Sequence, residues 1–577
     1  MTVTIAENGV AKAEVVVAGE ASASEQHAAR ELAYFLEQIT GAWFAIVPRS
    51  AGGGCRLLVG EQAGRAADPD FSIEGLGAEG IIMRTAGDDL ILAGGHPRGT
   101  LYAVYSFLEE QLGCRWWSSK ASAIPQKSTV KIGTLDIKYV PPLEYRELWW
   151  FDAFDGDWSA RNKCNGHRHQ TDKQRGGGHR FEGYVHTCYK LIPPEKYFAA
   201  HPEWFSEING ERTCDDKTAQ LCWSNEEMRR ELVRNLKERL RAHPEATIAS
   251  VSQRDWLRHG CQCQRCLAVD KEEGSAAGTL LRFVNGVAAD IEKEFGQVAI
   301  STLAYTFTRK PPKVTRPRHN VIIRLCTFEC SFCRPLTDPC NRDFYEDITG
   351  WSKICDRLYI WDYTTNFRHH IMPHPNLRVL GPNVKFFADH NVKGIFEQGA
   401  YTTNGAEMAE LRAWVLAKLL WDPTKDGQVL TDEFIAGYYG PAAPHIKAYL
   451  DVTHDAVEAS EDWLGCFKKQ TAKFLSFETL SEGWTHLKAA EAVVKDDTDL
   501  LFRVQVAQLP VMYTFMMRWD EMREKAEASG AAWPMSESIQ DTFEQFMEIA
   551  KKKNITRLNE WNPGFGALEE ALERAKK

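Results

Sequence analysis

The sequence predicts an α/β protein: a (β/α)8 TIM barrel preceded by a small α/β sandwich domain and followed by a helical C-terminal domain. Three observations predict this. Before residue 138, β-branched runs alternate with amphipathic helices over a span sized for one small domain. From Tyr139 to Leu430, about eight short apolar strand candidates are separated by long helical or looped connections, the pattern of a parallel barrel. After Leu430 strand signals stop and only helical periodicity remains. The expected boundaries are therefore 1–137, 138–430 and 431–577 of the 577 residues.

In the first segment, Glu14-Val-Val-Val-Ala18 reads as a strand, and Ser22 to Ile39 as a helix with Ala28, Leu32, Phe35 and Leu36 on one face. A glycine-rich loop at Gly52, Gly53 and Gly54 leads to three further strand candidates, 56–60, 80–84 and 89–93. A helix from about Pro97 to Leu112 then ends at Gly113, a plausible C-cap. The eight barrel candidates are 143–149, 184–188, 220–223, 248–252, 300–305, 321–326, 358–361 and 394–396. Glu226 to His243 and Thr279 to Phe295 read as connecting helices. In the C-terminal part, 434–459, 477–494, 500–526 and 539–552 read as helices.

Composition narrows the function. Hydrophobic residues at 44% and charged residues at 26% support large packed cores and exclude a disordered chain. Sixty-nine Lys and Arg against 79 Asp and Glu leave a charge of −10, which has no general attraction for a phosphate backbone, so nucleic acid is not an expected partner. No run of about 18 apolar residues predicts a membrane span. The N-terminus shows no secretory signal, so the expectation is cytoplasmic, or secreted or periplasmic if a signal has been removed. Fifteen cysteines, an odd number, read as mostly free thiols with local clusters, and no cofactor is expected.

In a parallel barrel, residues at the C-terminal strand ends converge on one surface. Here those ends are rich in aromatics and carboxylates. Trp149 follows the first candidate strand, His186 ends the second, Trp223 the third, and Asp255-Trp256 follow the fourth. Tyr305 ends the fifth and Glu329 follows the sixth. Trp361-Asp362-Tyr363 end the seventh, and Glu397-Gln398 with Tyr401 close the eighth. Flat aromatic faces suit the C–H faces of sugar rings, and carboxylates bind hydroxyls and exchange protons. The expected partner is a glycan or glycoprotein substrate.

Glycoside hydrolysis commonly uses two carboxyl groups, although a substrate acetamide can replace the nucleophile. Glu329, between an apolar strand and neighbouring cysteines, is the expected general acid, because desolvation there would raise its pKa. Asp255, beside Arg254, is the expected polarising carboxylate or base. Glu397 competes for either role, and Asp362 is expected to bind a hydroxyl. Cys261, Cys263 and Cys266, with His259 or a distant fourth ligand, form a possible zinc site, with free thiols or a disulfide as the favoured reading. The alternatives to an endo-acting glycosidase are an exo-acting enzyme for a uronic acid or hexosamine, with Arg254, Arg324 or Arg368 as carboxylate partners, and a non-catalytic glycan-binding protein.

The strings themselves carry a family resemblance. Gly99-Thr-Leu-Tyr-Ala-Val-Tyr-Ser-Phe-Leu-Glu109 with Gly113-Cys-Arg-Trp-Trp117 resembles the accessory domain that precedes the barrel in α-glucuronidases and β-hexosaminidases. His201-Pro-Glu-Trp-Phe205, Ser252-Gln-Arg-Asp255, the Cys261 to Cys266 cluster, Tyr359-Ile-Trp-Asp-Tyr363, Gly394-Ile-Phe-Glu-Gln-Gly399 and Leu419-Leu-Trp-Asp-Pro423 together resemble glycoside hydrolase family 163. That resemblance implies a retaining endo-β-N-acetylglucosaminidase that cuts the chitobiose core of N-glycans. Asp255 would orient the substrate acetamide and Glu329 would protonate the departing sugar. Arg254 stands where the resemblance leads one to expect Asn.

Overall fold

A computed structural model describes residues 2–50, 54–215, 217–255 and 259–576. They divide into two compact units: Met1–Gly178 with Met408–Ala448 and His486–Gln508, and His179–Glu407 with Tyr449–Thr485 and Leu509–Lys577.

The first unit contains a six-stranded mixed sheet in the order Asp136–Tyr139, Ile81–Ala86, Asp89–Gly94, Cys55–Val59, Ala13–Val17, Ile46–Val47. Its central strands carry Val, Ile and Leu on both faces, as a sheet covered on both sides requires. Helix Ala23–Thr40 begins at a capping box, where Ser22 and Glu25 satisfy each other's backbone amides, and ends at Gly41 in the left-handed conformation. The expected helix near Pro97 is Gly99–Ser106, continued by a π-helical turn, Phe107–Leu112, that stops at Gly113 with φ 91°. A Cβ on Gly94 would lie 2.4 Å from the Gly99 carbonyl carbon, so this helix and strand approach only because both positions are glycine.

Two buried ionic clusters hold this unit together. Glu79 accepts from Arg98 at 2.5 Å, Arg146 at 2.7 Å and Asn165 at 2.7 Å. Burial alone would raise the Glu79 pKa, but Arg146 and Arg98 overwhelm that and hold it at about 2. Glu109 is likewise paired with Lys163 and Lys418.

The second unit is built on parallel strands ordered Val392–Gln398, Leu358–Tyr363, Val321–Cys326, Ala299–Ala304, Ile248–Ser250, Phe181–Glu182. They curl into part of a barrel; Tyr145–Trp149 is a strand as expected, but two of the eight expected strands, 184–188 and 220–223, are not. Residues 184–187 are loop and Cys188–Leu191 is helical, the nearby strand being only Phe181–Glu182. Residues 220–223 form no strand, and Leu221 makes only an isolated antiparallel bridge to Phe205. Residues 220–223 are buried and 184–186 half-buried, and a short partly apolar stretch does not distinguish strand from packed loop. Connecting helices Glu226–Ala242 and Ala276–Glu292 lie where periodicity placed them.

After Leu430 the chain is helical, with helices Gly427–Tyr439, Ala443–Ala459, Phe477–Val493, Thr498–Met517, Trp519–Ser529, Ile539–Lys553 and Gly566–Ala575. The expected single helix 434–459 is broken at Gly440-Pro441, because proline supplies no N–H to continue it. Thr498–Met517 is long and apolar enough to cross a membrane, and 61% of that window is buried inside the protein.

Candidate active site

The parallel register of the second unit brings the C-terminal ends of adjacent strands to one edge, and a cavity of about 440 Å³ opens there. Tyr305 follows strand Ala299–Ala304, and Cys326 and Phe328 follow or end Val321–Cys326. Trp361 and Tyr363 end Leu358–Tyr363, and Gln398 and Tyr401 close Val392–Gln398. His186 and Asp255 come from the loops after Phe181–Glu182 and Ile248–Ser250. Most of the walls are aromatic. Phe328 packs edge-on against Tyr305, Tyr363 and Phe467 at 5.5 to 5.9 Å, and Phe467 stacks on Trp561 at 5.6 Å.

Two carboxyl groups reach this cavity in different surroundings. Asp255 is 43% exposed and accepts from the Tyr305 hydroxyl at 3.2 Å. His186 Nε2 lies 3.6 Å from the same oxygen, while its Nδ1 donates to the Gln253 carbonyl at 2.7 Å. Burial lowers the His186 pKa more than the Asp255 charge raises it, so the imidazole is neutral and its Nε2 carries no proton. Asp255 Oδ1 and His186 Nε2 thus face each other at the cavity wall. His186 holds this position with φ 53°, a strained conformation for a non-glycine residue, pinned by its amide donating to Ser252 Oγ at 2.8 Å.

The second group, Glu560, comes from the loop between helices Ile539–Lys553 and Gly566–Ala575. Its amide donates to the Phe367 carbonyl at 3.0 Å, and that of His370 donates to Leu558 at 2.8 Å, so the loop is sewn to the segment after strand Leu358–Tyr363. Burial raises the Glu560 pKa, the Tyr401 hydroxyl lowers it, and the Asp255 charge raises it again. Trp361 Nε1 donates to Gln398 Oε1 at 2.8 Å, which orients the Gln398 amide to donate to Glu560 Oε1 at 3.4 Å. Tyr401 donates to that same oxygen at 3.1 Å.

Several sequence expectations land elsewhere. Glu329 is not desolvated: it is 39% exposed and pairs with Arg309 at 3.0 Å, in a neighbouring recess that also contains Asp347. The tight turn Thr327–Cys330, closed by a 2.9 Å backbone bond, sends Phe328 into the cavity and Glu329 out of it. Glu397 is fully buried, and Asp362 is its buried neighbour. Neither lines the cavity, so Asp362 does not meet a hydroxyl there but accepts from the Thr327 hydroxyl and the Tyr363 amide. Trp223 is buried against Phe307 at 6.2 Å, and Trp149 belongs to the first unit, where its indole donates to Glu147. Trp256 lies outside the described residues, as do Gly52 and Gly53 of the expected glycine-rich loop.

His186, Tyr305, Trp361, Tyr363, Gln398 and Tyr401 do line the cavity, with Asp255. Sequence reasoning missed Leu303, Phe328, Phe367, Phe467, Glu560 and Trp561. The available signal was Asn559-Glu-Trp-Asn-Pro563, an acid beside a tryptophan in a loop, as in Asp255-Trp256 and Trp361-Asp362. The expected arginines do not reach the cavity. Arg324 is enclosed by the rings of Trp361, Tyr184, Phe181 and Phe396, and Arg254 lies over Tyr189 at 4.2 Å. No Arg or Lys among the described residues lines it.

Residues 116–451, more than half of the chain, match the family described as Domain of unknown function (DUF4838). The chain belongs to this family. In this DUF4838 member the strand-end part of the cavity falls within the matched region, whereas Phe467, Glu560 and Trp561 fall after it. No curated protein matches the sequence. Among solved structures, the DUF4838 chain is similar to BtGH115A, a family GH115 4-O-methyl-α-glucuronidase with specificity for decorated arabinogalactans. The TM-score is 0.60 and the identity 11%, over 96% of this chain and 77% of that one. It also matches CpGH84D at TM-score 0.47 (10% identity, 99% and 96% covered) and a GH138 enzyme targeting pectin rhamnogalacturonan II at 0.43 (9%, 95% and 93%). At these identities the likeness to BtGH115A is one of fold, and the other two carry no weight.

Proposed function

We propose that this DUF4838 protein is a glycoside hydrolase acting on a neutral, N-acetylated glycan, as a retaining endo-β-N-acetylglucosaminidase with substrate assistance. The observation that carries the reading is one aromatic-walled cavity in which the exposed Asp255 and the desolvated Glu560 both present oxygens. A carboxyl group whose pKa is raised by burial beside one that is more exposed is the kind of pairing acid-catalysed glycoside cleavage uses. In this mechanism Asp255 Oδ1, which also accepts from Tyr305, accepts the acetamide N–H beside His186. The acetamide carbonyl oxygen then attacks the anomeric carbon while Glu560 Oε2 protonates the departing oxygen. Water opens the resulting oxazolinium ring as Glu560 takes its proton back, so the anomeric configuration is retained.

The fold shared with a glucuronidase supports glycosidase chemistry, and the lining argues against a uronate at the centre. A sugar carboxylate would face Asp255 and Glu560 with no Arg or Lys among the described lining residues to pair with it. The N-glycan core remains the substrate that the resemblance to family 163 implies. Glu329 stays as the competing acid because it adjoins Phe328, which lines the cavity.

Mass spectrometry of products from N-glycoproteins and from uronic-acid oligosaccharides tests this directly. Glycans ending in a single GlcNAc are expected from the wild type, and strongly reduced amounts from Asp255→Asn and Glu560→Gln. Full activity in Glu560→Gln with loss in Glu329→Gln would transfer the acid role to Glu329. Glycan binding without release by any form would establish a binding protein instead.

A further inference from the structure

Four cysteines outside the cavity meet in the second unit. Cys222, Cys261, Cys263 and Cys266 are all buried, and their sulfur atoms lie within 4.8 Å of one another. Three of them form the Cys-x-Cys-x-x-Cys knuckle, with Cys263 as N-cap of helix Gln264–Glu273 and Cys266 in its first turn. The fourth arrives from a loop 41 residues before Cys263 and takes the place considered for His259.

The spacing distinguishes a metal centre from disulfides. Cys222 Sγ lies 3.7 Å from Cys263 Sγ and 3.9 Å from Cys266 Sγ. A disulfide requires about 2.05 Å. Four thiolates around zinc at about 2.3 Å stand about 3.8 Å apart in a tetrahedron. The surroundings donate to sulfur, as thiolate ligands need. The Glu207 amide donates to Cys261 Sγ at 3.3 Å, and Arg212 Nη1 lies 3.6 Å from the same atom. The Ser224 hydroxyl also borders the cluster, 3.5 Å from Cys222 Sγ, and accepts from the Cys266 thiol at 3.2 Å. The Arg212 cation offsets part of the net negative charge that a divalent ion inside four thiolates carries.

We propose that these four cysteines bind one structural Zn²⁺. A closed set of four thiolates leaves no position for substrate or water, so the ion has a bracing and not a catalytic role. It joins the loop before helix Glu226–Ala242 to the segment after strand Ile248–Ser250, which carries Asp255. Two residues before Cys222, Gln220 already clamps Arg254 from both sides: Oε1 accepts the Arg254 amide at 2.9 Å, and Nε2 donates to its carbonyl at 3.2 Å. The ion fixes the chain on which that clamp stands.

Elemental analysis of the purified full chain is expected to give about one zinc per chain. Titration with a mercurial, read by a zinc-sensitive dye, is expected to release it stoichiometrically without any substitution. Cobalt exchanged into the site is expected to show the thiolate charge-transfer and d–d bands of a tetrahedral, all-sulfur cobalt centre. Cys222→Ser, with circular dichroism as the folding check, is expected to lose most of the bound zinc. Metal-free wild type whose four thiols alkylate in the native state, a disulfide among them in the peptide map, or full zinc retention in Cys222→Ser would each overturn the proposal.

Discussion

At the residue scale, Glu560 and Tyr401 make a pH-dependence that can be signed in advance. Burial holds the Glu560 pKa above its ordinary value and the Tyr401 hydroxyl pulls it down. In its proposed role as the acid, Glu560 works below that pKa and sets the alkaline limb of kcat/KM. Tyr401→Phe removes a bond to the charged form, and a pH profile is expected to show that limb moved to higher pH. An unmoved or lowered limb would separate the limb from Glu560. Glu560→Gln is expected to lower kcat by about 10²- to 10⁴-fold, the usual contribution of a positioned acid. Asp255→Asn should also reduce kcat strongly, because an amide presents a donor toward the substrate N–H if its nitrogen takes the Oδ1 position.

At the element scale, Asp362 and Glu397 face each other in register on adjacent strands as a buried carboxyl pair. Burial raises Asp362 to about 6 against a bond from Thr327, and burial plus the Asp362 charge raise Glu397 well above its ordinary range. The folded pKa values exceed the unfolded ones, so the protonated fold is favoured. The pair's contribution to stability is therefore fully present below about pH 4 and declines as pH rises through about 6 and beyond. Glu397→Gln keeps the shape and removes one titrating group, and melting curves from pH 5 to 8 are expected to be flatter than those of the wild type. A variant that melts normally yet has lost kcat would instead return Glu397 to the chemistry. In the first unit, Ser22→Ala breaks the capping box and is expected to cost about 1 kcal/mol in a denaturant titration.

At the scale of the whole molecule, charge sets two behaviours. The chain carries −10 and its cavity presents carboxylates with no Arg or Lys among the described lining residues, so a neutral glycan gains nothing from long-range steering. kcat/KM on such a substrate is expected to change less than about twofold between roughly 50 and 500 mM salt. A steep fall would indicate an anionic substrate attracted by residues elsewhere. Acid stability follows from Glu79, whose folded pKa of about 2 lies below its unfolded value. Its contribution is present above about pH 4 and is lost as pH falls through about 2, so acid unfolding is expected to begin below about pH 4. Glu79→Ala leaves Arg98 and Arg146 without their shared carboxylate and is expected to cost about 3 to 5 kcal/mol.

Local periodicity was enough for the long amphipathic helices, for the core strands Ala299–Ala304, Val321–Cys326 and Leu358–Tyr363, and for the helical character after Leu430, because these patterns depend on near neighbours in the chain. It also placed Asp255, Tyr305, Trp361 and Tyr363 at strand ends, where parallel strands bring side chains together. Three outcomes needed the tertiary structure. The turn at Thr327–Cys330 decides that Phe328 and not Glu329 enters the cavity, and a one-residue change of direction has no signature in composition. Glu560 joins Asp255 from 305 positions further along the chain, and Cys222 joins partners that begin 39 positions after it, with nothing in the local sequence linking them. Whether a carboxyl group is desolvated depends on what the rest of the chain packs against it, and that is why the environments of Glu329, Glu397 and Glu560 were decided only in the fold.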